Sequence, residues 1–249
     1  MTALSLRSLT KSYGGLRALD GAGFDIAGPG IYGLIGPNGA GKTTLFDTIA
    51  GNITPDSGSI WLQGHDITGL PSHRIAALGV ARTFQECRVL LDETCLDNLL
   101  FAAQPKGLAA SIGQMLSRSK RHRQEFMDEA IRLLTMVRLQ DYADAKASEL
   151  SFGQRRLLEI VSTFISTPTV FLLDEPASGV NPSLLQVLGD FIRAMYAEQP
   201  RVFLLVEHNM EFVMSIAQDI VVMQQGRVLE RGTPEQIQNS ARVVEAYLG

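Results

Sequence analysis

Short runs of apolar and β-branched residues recur along the chain between glycine-, proline- and polar-rich stretches. They predict strands at Leu4 to Leu9, Gly58 to Leu62, Thr169 to Leu173, Val202 to Val206, Ile220 to Met223 and Val228 to Arg231. Two of these, Val170 to Leu173 and Val202 to Val206, are continuously apolar rather than alternating, the pattern of inner strands covered on both faces. Between them, Leu184, Leu188, Phe191, Ile192 and Met195 fall at helical spacing within Pro182 to Tyr196, which supplies a crossover between parallel strands. An α/β core follows. From about Leu90 to Glu149 the pattern turns helical, with Ala130, Leu133, Leu134 and Val137 on one stripe, and predicts a helical subdomain inserted into that core. Near the end, Gly232 to Ile237 reads as a turn and a capped helix, with Thr233 as N-cap and Pro234 in the first helical position.

Composition narrows the class. Of 249 residues, 45% are hydrophobic and 19% charged, which suits a folded chain and excludes intrinsic disorder. The formal charge of −4 argues against a sequence-independent nucleic-acid binder, which needs clustered Lys and Arg, and no nucleic-acid partner is expected. The one dense basic run, Arg118 to Arg123, reads as a solvated face of the helical region. Cys87 and Cys95 lack the spacing and the nearby histidines of a metal or redox site and read as ordinary thiols of a reducing compartment. No apolar stretch approaches the ~20 residues that cross a bilayer, and Met1 to Tyr13 carries no secretory pattern, so a cytoplasmic address is expected.

The sharpest chemical signal is Gly36-Pro37-Asn38-Gly39-Ala40-Gly41-Lys42-Thr43-Thr44, preceded by the apolar Ile31 to Ile35 and followed by the helix-compatible Leu45 to Ala50. This is a phosphate-binding loop in its strand-to-helix setting. Its glycines let backbone amides turn toward phosphate oxygens, Lys42 can reach the β- and γ-phosphates, and the Thr43 hydroxyl can ligate magnesium. The apolar strand ending at Leu173 is followed by Asp174-Glu175, two acids at the C-terminal edge where parallel sheets hold ligands. Asp174 would hold magnesium, and Glu175 would polarise the water attacking the γ-phosphate. The next buried strand runs into Val206-Glu207-His208, whose imidazole would contact the γ-phosphate and orient that water. Gln85, where the core pattern gives way to the helical region, is not decided by its surroundings alone.

Leu150-Ser151-Phe152-Gly153-Gln154, taken with the loop at Gly36 to Thr44, Gln85, Asp174-Glu175 and His208 in this order, resembles the ATP-binding subunits of ABC transporters over nearly the whole chain. The resemblance implies a P-loop NTPase (RecA-like) core with a mainly parallel sheet and an N-terminal antiparallel β portion. The core would occupy about 1–85 and 155–249 of one ABC ATPase domain, and the helical subdomain about 86–154. It implies that Ser151, Phe152, Gly153 and Gln154 are the signature motif, acting on ATP held by a partner subunit, so that hydrolysis needs a dimer. It also implies that Tyr13 stacks on adenine and that Gln85 senses magnesium and water while coupling the site to membrane subunits.

Finer likeness points to a branch. GVARTFQ at Gly79 to Gln85, EPASGVNP at Glu175 to Pro182, Glu207-His208-Asn209-Met210 and the ending Glu245-Ala246-Tyr247-Leu248-Gly249 are similar to the ATPases of branched-chain amino-acid importers and their urea and short-amide relatives. That branch implies a second, paralogous ATPase subunit or a second copy, two transmembrane permease subunits and, indirectly, a periplasmic solute-binding protein. The chain would then sit at the cytoplasmic face of the inner membrane. Two departures stand out: Phe152 replaces the common Gly of the signature, and Asn181 replaces the usual Asp after the catalytic Glu. With one P-loop and no sustained heptads, the chain does not match the tandem or coiled-coil ABC ATPases of repair and translation. The signature opposes a small-molecule phosphotransferase, and a catalytically silent docking subunit is disfavoured because every expected polar residue of the ATP site is present. The chain stops about forty residues after His208, and no further C-terminal regulatory domain is expected.

Overall fold

The computed structural model describes residues 2–83, 89–103 and 120–248. In chain order its elements begin with β1 (Leu4–Tyr13), β2 (Leu16–Ile26), β3 (Gly30–Ile35), α1 (Lys42–Ile49), β4 (Ser57–Leu62), β5 (His65–Asp66), α2 (Ser72–Ala77), β6 (Val80–Arg82) and α3 (Cys95–Ala102). They continue with α4 (Lys120–Met136), α5 (Phe152–Phe164), β7 (Val170–Asp174), α6 (Pro182–Glu198), β8 (Val202–Val206), α7 (Met210–Ile216), β9 (Asp219–Gln224), β10 (Arg227–Gly232), α8 (Pro234–Gln238) and α9 (Ala241–Leu248). The chain divides into two compact units, one spanning Met1–Arg82, Pro168–Ala177 and Arg193–Gly249, the other Thr83–Thr167 and Ser178–Ile192.

The first unit holds both sheets. Strands β2-β1-β4-β5 form a four-stranded antiparallel sheet, and β10-β9-β3-β8-β7-β6 a six-stranded one in which only the β10–β9 pair is antiparallel. Every residue of β3, β7 and β8 is buried, as continuous apolar runs require. β1 and β2 instead mix buried and exposed positions, turning Leu4, Leu6, Leu9, Leu19, Phe24 and Ile26 inward. β2 and β6 carry little sequence signal, and the reasons differ. In β2 the pairing with β1 is so close at Gly23 that an added Cβ would lie 2.8 Å from the Leu6 carbonyl oxygen, so the strand needs a residue that breaks its own pattern. β6 has only three residues, too few to show a period.

The predicted caps and stripes are present. The Thr233 hydroxyl accepts a hydrogen bond from the Gln236 amide while the Gln236 side-chain oxygen accepts one from the Thr233 amide, a reciprocal box with Pro234 in the first turn. In the second unit Ala130, Leu133, Leu134 and Val137 are fully buried, and Phe164 meets Phe191 edge-on with centroids 4.7 Å apart. Cys95 lies buried at the start of α3, where burial pushes its thiol up to about 11, the behaviour of an unreactive packing residue. Cys87 and, from the basic run, Arg118 and Ser119 lie outside the described residues. Among the described residues no helix is long and apolar enough to cross a membrane.

Phe171 of β7 and Phe203 of β8 are register partners, stacked with centroids 4.8 Å apart and interplanar angle 2°, and each is 1% exposed. Phe203→Ala is expected to lower unfolding stability by about 3–5 kcal/mol, read as a fall in the urea midpoint at unchanged slope.

Candidate active site

The phosphate loop sits between the end of β3 and the start of α1. Gly36 turns the chain out of the sheet with φ +150°, and a Cβ there would collide with the Met223 carbonyl; Gly41, at φ +97°, caps α1 in a left-handed conformation with its missing Cβ facing the Ala18 carbonyl. Gly36 and Ala40 are buried, Pro37 and Thr44 half-buried, and Asn38, Gly39 and Thr43 exposed. Lys42 is 5% exposed and donates to the Gly36 carbonyl at 2.7 Å and the Pro37 carbonyl at 3.0 Å. Burial draws its pKa below the ordinary lysine value, and the negative charge of Glu175 opposes that shift. The lysine and the glutamate therefore share one electrostatic neighbourhood.

The strand-end acids are held differently from each other. Asp174 closes β7 at 2% exposure and receives a 2.7 Å ion pair from Arg82, which also grips Asp47 of α1 at 2.5 Å. Burial works against the guanidinium charge, but the two carboxylates outweigh it and raise the Arg82 pKa further above its already high value. Glu175 follows with φ +45°, a left-handed conformation costing on the order of 1 kcal/mol for a residue with a Cβ, and its amide donates to the Val206 carbonyl at 2.9 Å. The turn points its carboxylate at His208, whose Nε2 lies 3.1 Å from Oε1.

Two supporting residues went unassigned in the sequence reading. Arg82 lies within GVARTFQ without a role of its own there, and only its nearness in space to two acids reveals one. Glu207 stands beside His208 at 3% exposure, and its carboxylate accepts from the amides of Ala177 at 2.5 Å, His208 at 3.0 Å and Asn209 at 3.2 Å. Burial pushes its pKa up despite those three donors. An acid directly after an all-apolar strand was the available signal for it.

Tyr13 ends β1 with its ring 47% exposed and the Lys11 ammonium 5.8 Å from the ring centroid. In the second unit, Ser151 caps α5: its hydroxyl accepts from the Gln154 amide at 3.3 Å, and the Gln154 side chain accepts from the Ser151 amide at 2.9 Å. Phe152 is half exposed, with its ring against Gly179 at φ +69°, where any Cβ would strike it. Gly153 is buried against Leu184, whose Cδ1 would lie 2.9 Å from an added Cβ. Asn181 caps α6, its Oδ1 accepting from the Leu184 amide at 3.0 Å and the Ser183 hydroxyl at 2.7 Å. Gln85 lies outside the described residues. Within the first unit the fold thus brings together Gly36 to Thr44, Asp174, Glu175 and His208.

Residues 19–178 match the family model described as ABC transporter. The chain belongs to that family. A second model, described as branched-chain amino acid ATP-binding cassette transporter, matches residues 227–249 of this ABC protein. It is 41% identical over 99% of its length to the high-affinity branched-chain amino acid transport ATP-binding protein BraF of Pseudomonas aeruginosa, of which it covers 97%. It is 39% identical to LivG of Escherichia coli strain K12, which bears the same description, with the same coverage. Among solved structures it is similar to a nucleotide-free ATP-binding cassette from an ABC transporter, at 30% identity, full coverage of both chains and TM-score 0.84. The ADP conformation of another such cassette gives 29%, coverage of 100% and 99%, and TM-score 0.85. The fold is that of a P-loop NTPase, and the chain is a nucleotide-binding ATPase of the ABC class.

Removing the cation that holds Asp174 takes the ion-pair partner from a buried carboxylate. Arg82→Leu is expected to cost about 3–5 kcal/mol in urea unfolding at neutral pH, more than Asp47→Asn, which leaves the Arg82–Asp174 pair intact.

Proposed function

We propose that the chain is the ATP-hydrolysing subunit of an importer of branched-chain or other hydrophobic amino acids. The observation that carries the catalytic part is Glu175, held in a left-handed turn within 3.1 Å of His208 and in the electrostatic field of Lys42. Support for the solute class comes from the C-terminal match at residues 227–249 and from relatives in Pseudomonas aeruginosa and Escherichia coli named for branched-chain amino acid transport.

In this reading the amides of Gly36 to Thr44 and the Lys42 ammonium receive the β- and γ-phosphates, the exposed ring of Tyr13 stacks on adenine, and Glu175 polarises the attacking water while His208 orients it. Thr43 and Asp174 offer a hydroxyl and a carboxylate, oxygen donors that suit a magnesium ion keeping phosphate and water in its remaining positions. No cluster of three His, Cys, Asp or Glu occurs among the described residues, and such coordination needs none. Magnesium held there would neutralise charge on the phosphate oxygens. Arg82 bears on this directly, since it fixes where the Asp174 carboxylate stands.

Ser151, Phe152, Gly153 and Gln154 are assigned to ATP on a second ATPase subunit, so the chain, a single ABC ATPase domain, works as a dimer, with a paralogue preferred over a second copy. Two permease subunits, served indirectly by a periplasmic binding protein, complete the importer, and the chain sits peripherally at the cytoplasmic face of the membrane. Gln85 is the proposed link to the permease. Asn181 keeps the helix cap that an Asp would provide while removing its charge.

Glu175→Gln is expected to keep ATP binding within about twofold and to lower turnover by about a hundredfold or more. Turnover of the unaltered chain should rise with its own concentration or on adding the paralogous ATPase. Wild-type turnover in Glu175→Gln removes the role given to that carboxylate.

A further inference from the structure

Glu207 is a buried acid to which the reading above gives no part in the reaction, although it stands between two residues that have one. The residue is 3% exposed, and its carboxylate accepts three backbone amides, which its two oxygens divide by loop. Oε1 takes the Ala177 amide at 2.5 Å, two residues past Glu175 on the segment that leaves β7. Oε2 takes the amides of His208 at 3.0 Å and Asn209 at 3.2 Å, on the segment that leaves β8. A carboxylate has an accepting oxygen for each loop, which a hydroxyl or an amide side chain does not.

The place of these bonds shows what they do. Strands β7 and β8 pair in parallel as far as Asp174 and Val206, and the Glu175 amide still reaches the Val206 carbonyl at 2.9 Å. There the backbone of Glu175 turns left-handed, and Pro176, which has no N–H, cannot extend the ladder. The Glu207 carboxylate takes the ladder's place by joining Ala177 to the His208 segment. Three contacts then close a ring: the Glu175 amide on Val206, the Ala177 amide on Glu207, and His208 Nε2 at 3.1 Å from Glu175 Oε1. The third is the exposed one, with 45% of the His208 side chain open to solvent, so water competes for it. The spacing of that pair must come from the backbones beneath, and Glu207 is what ties them.

We propose that Glu207 is a positioning residue for hydrolysis, its carboxylate clamping the segment after Glu175 to the segment that carries His208 so that these two side chains keep a fixed spacing around the attacking water. The proposal rests on the ATPase reading and adds to it a residue that touches neither nucleotide nor water. Such a clamp acts on the chemical step and spares nucleotide affinity, which the phosphate loop supplies.

The test is a double-mutant cycle on the full chain assembled with its partner subunits: Glu207→Gln, His208→Ala and the two together, read as kcat and KM for magnesium ATP, with Kd from titration calorimetry. Gln keeps the size of the side chain but turns an NH2 group toward one of the loops, where it meets an N–H that it cannot accept. In Glu207→Gln kcat is expected to fall about tenfold or more while KM and Kd stay within about twofold. In the double variant kcat should match that of His208→Ala alone, because the clamp works through a pair that the second substitution has already removed. A loss of packing unrelated to His208 would instead lower kcat by the same factor in either background. Should Glu207→Gln fail to fold, Glu207→Asp takes its place in the cycle: it keeps the charge and can accept the Asn209 amide two residues on, but is one methylene shorter on the side of Ala177. Independent effects of the two substitutions, an unchanged kcat, or a change confined to KM overturns the clamp alone. Wild-type turnover in His208→Ala overturns the role given to that imidazole and the clamp with it. Absence of ATP turnover by the unaltered assembly overturns the ATPase reading itself.

Discussion

A buried guanidinium, Arg82, sits between the carboxylates of Asp47 and Asp174, and the chemistry of the strand ends depends on it. A parallel sheet of continuously apolar strands offers no water to an acid at its C-terminal edge. Asp174 at 2% exposure has a cation beside it there. The same cation ties β6, β7 and α1 together at one point, so the helix that follows the phosphate loop is braced against the strand that presents the acids. Glu207 meets the same problem without a cation, spreading its charge over three backbone amides.

The strained turn at Glu175 belongs to this arrangement. Its amide still pairs with Val206, so β7 and β8 stay zipped to their ends, and the left-handed backbone swings the carboxylate out of the sheet toward His208. The energy of that conformation is small beside the apolar burial of the strands that enforce it, which is why a residue with a Cβ can be kept there.

Much of this was legible in the residues. Continuous apolar runs announced β7 and β8, and the glycine spacing before Lys42 announced the loop, because in both the local pattern and the tertiary role coincide. The stripe at Ala130 to Val137 and the capped turn at Thr233 were readable for the same reason. β2 was not, since a close approach to β1 demands glycine where a strand pattern would demand a side chain. Arg82 and Glu207 were opaque in their roles because each acts through at least one partner 30 or more residues away, and no spacing rule encodes such a pair. Phe152 looked like a departure from a motif and is, in space, a ring laid over a glycine.

Lys42 gives the loop a form of selectivity that its shape alone would not. Two of its three ammonium protons are already donated to the carbonyls of Gly36 and Pro37, so an incoming group that takes more than the remaining one is accepted by exchange rather than by simple addition. A sugar hydroxyl or the edge of a base offers an oxygen no better than the peptide carbonyl it displaces and gains nothing. A phosphate oxygen carries formal charge and wins the exchange. The loop therefore sorts its visitors by ionisation before it sorts them by outline.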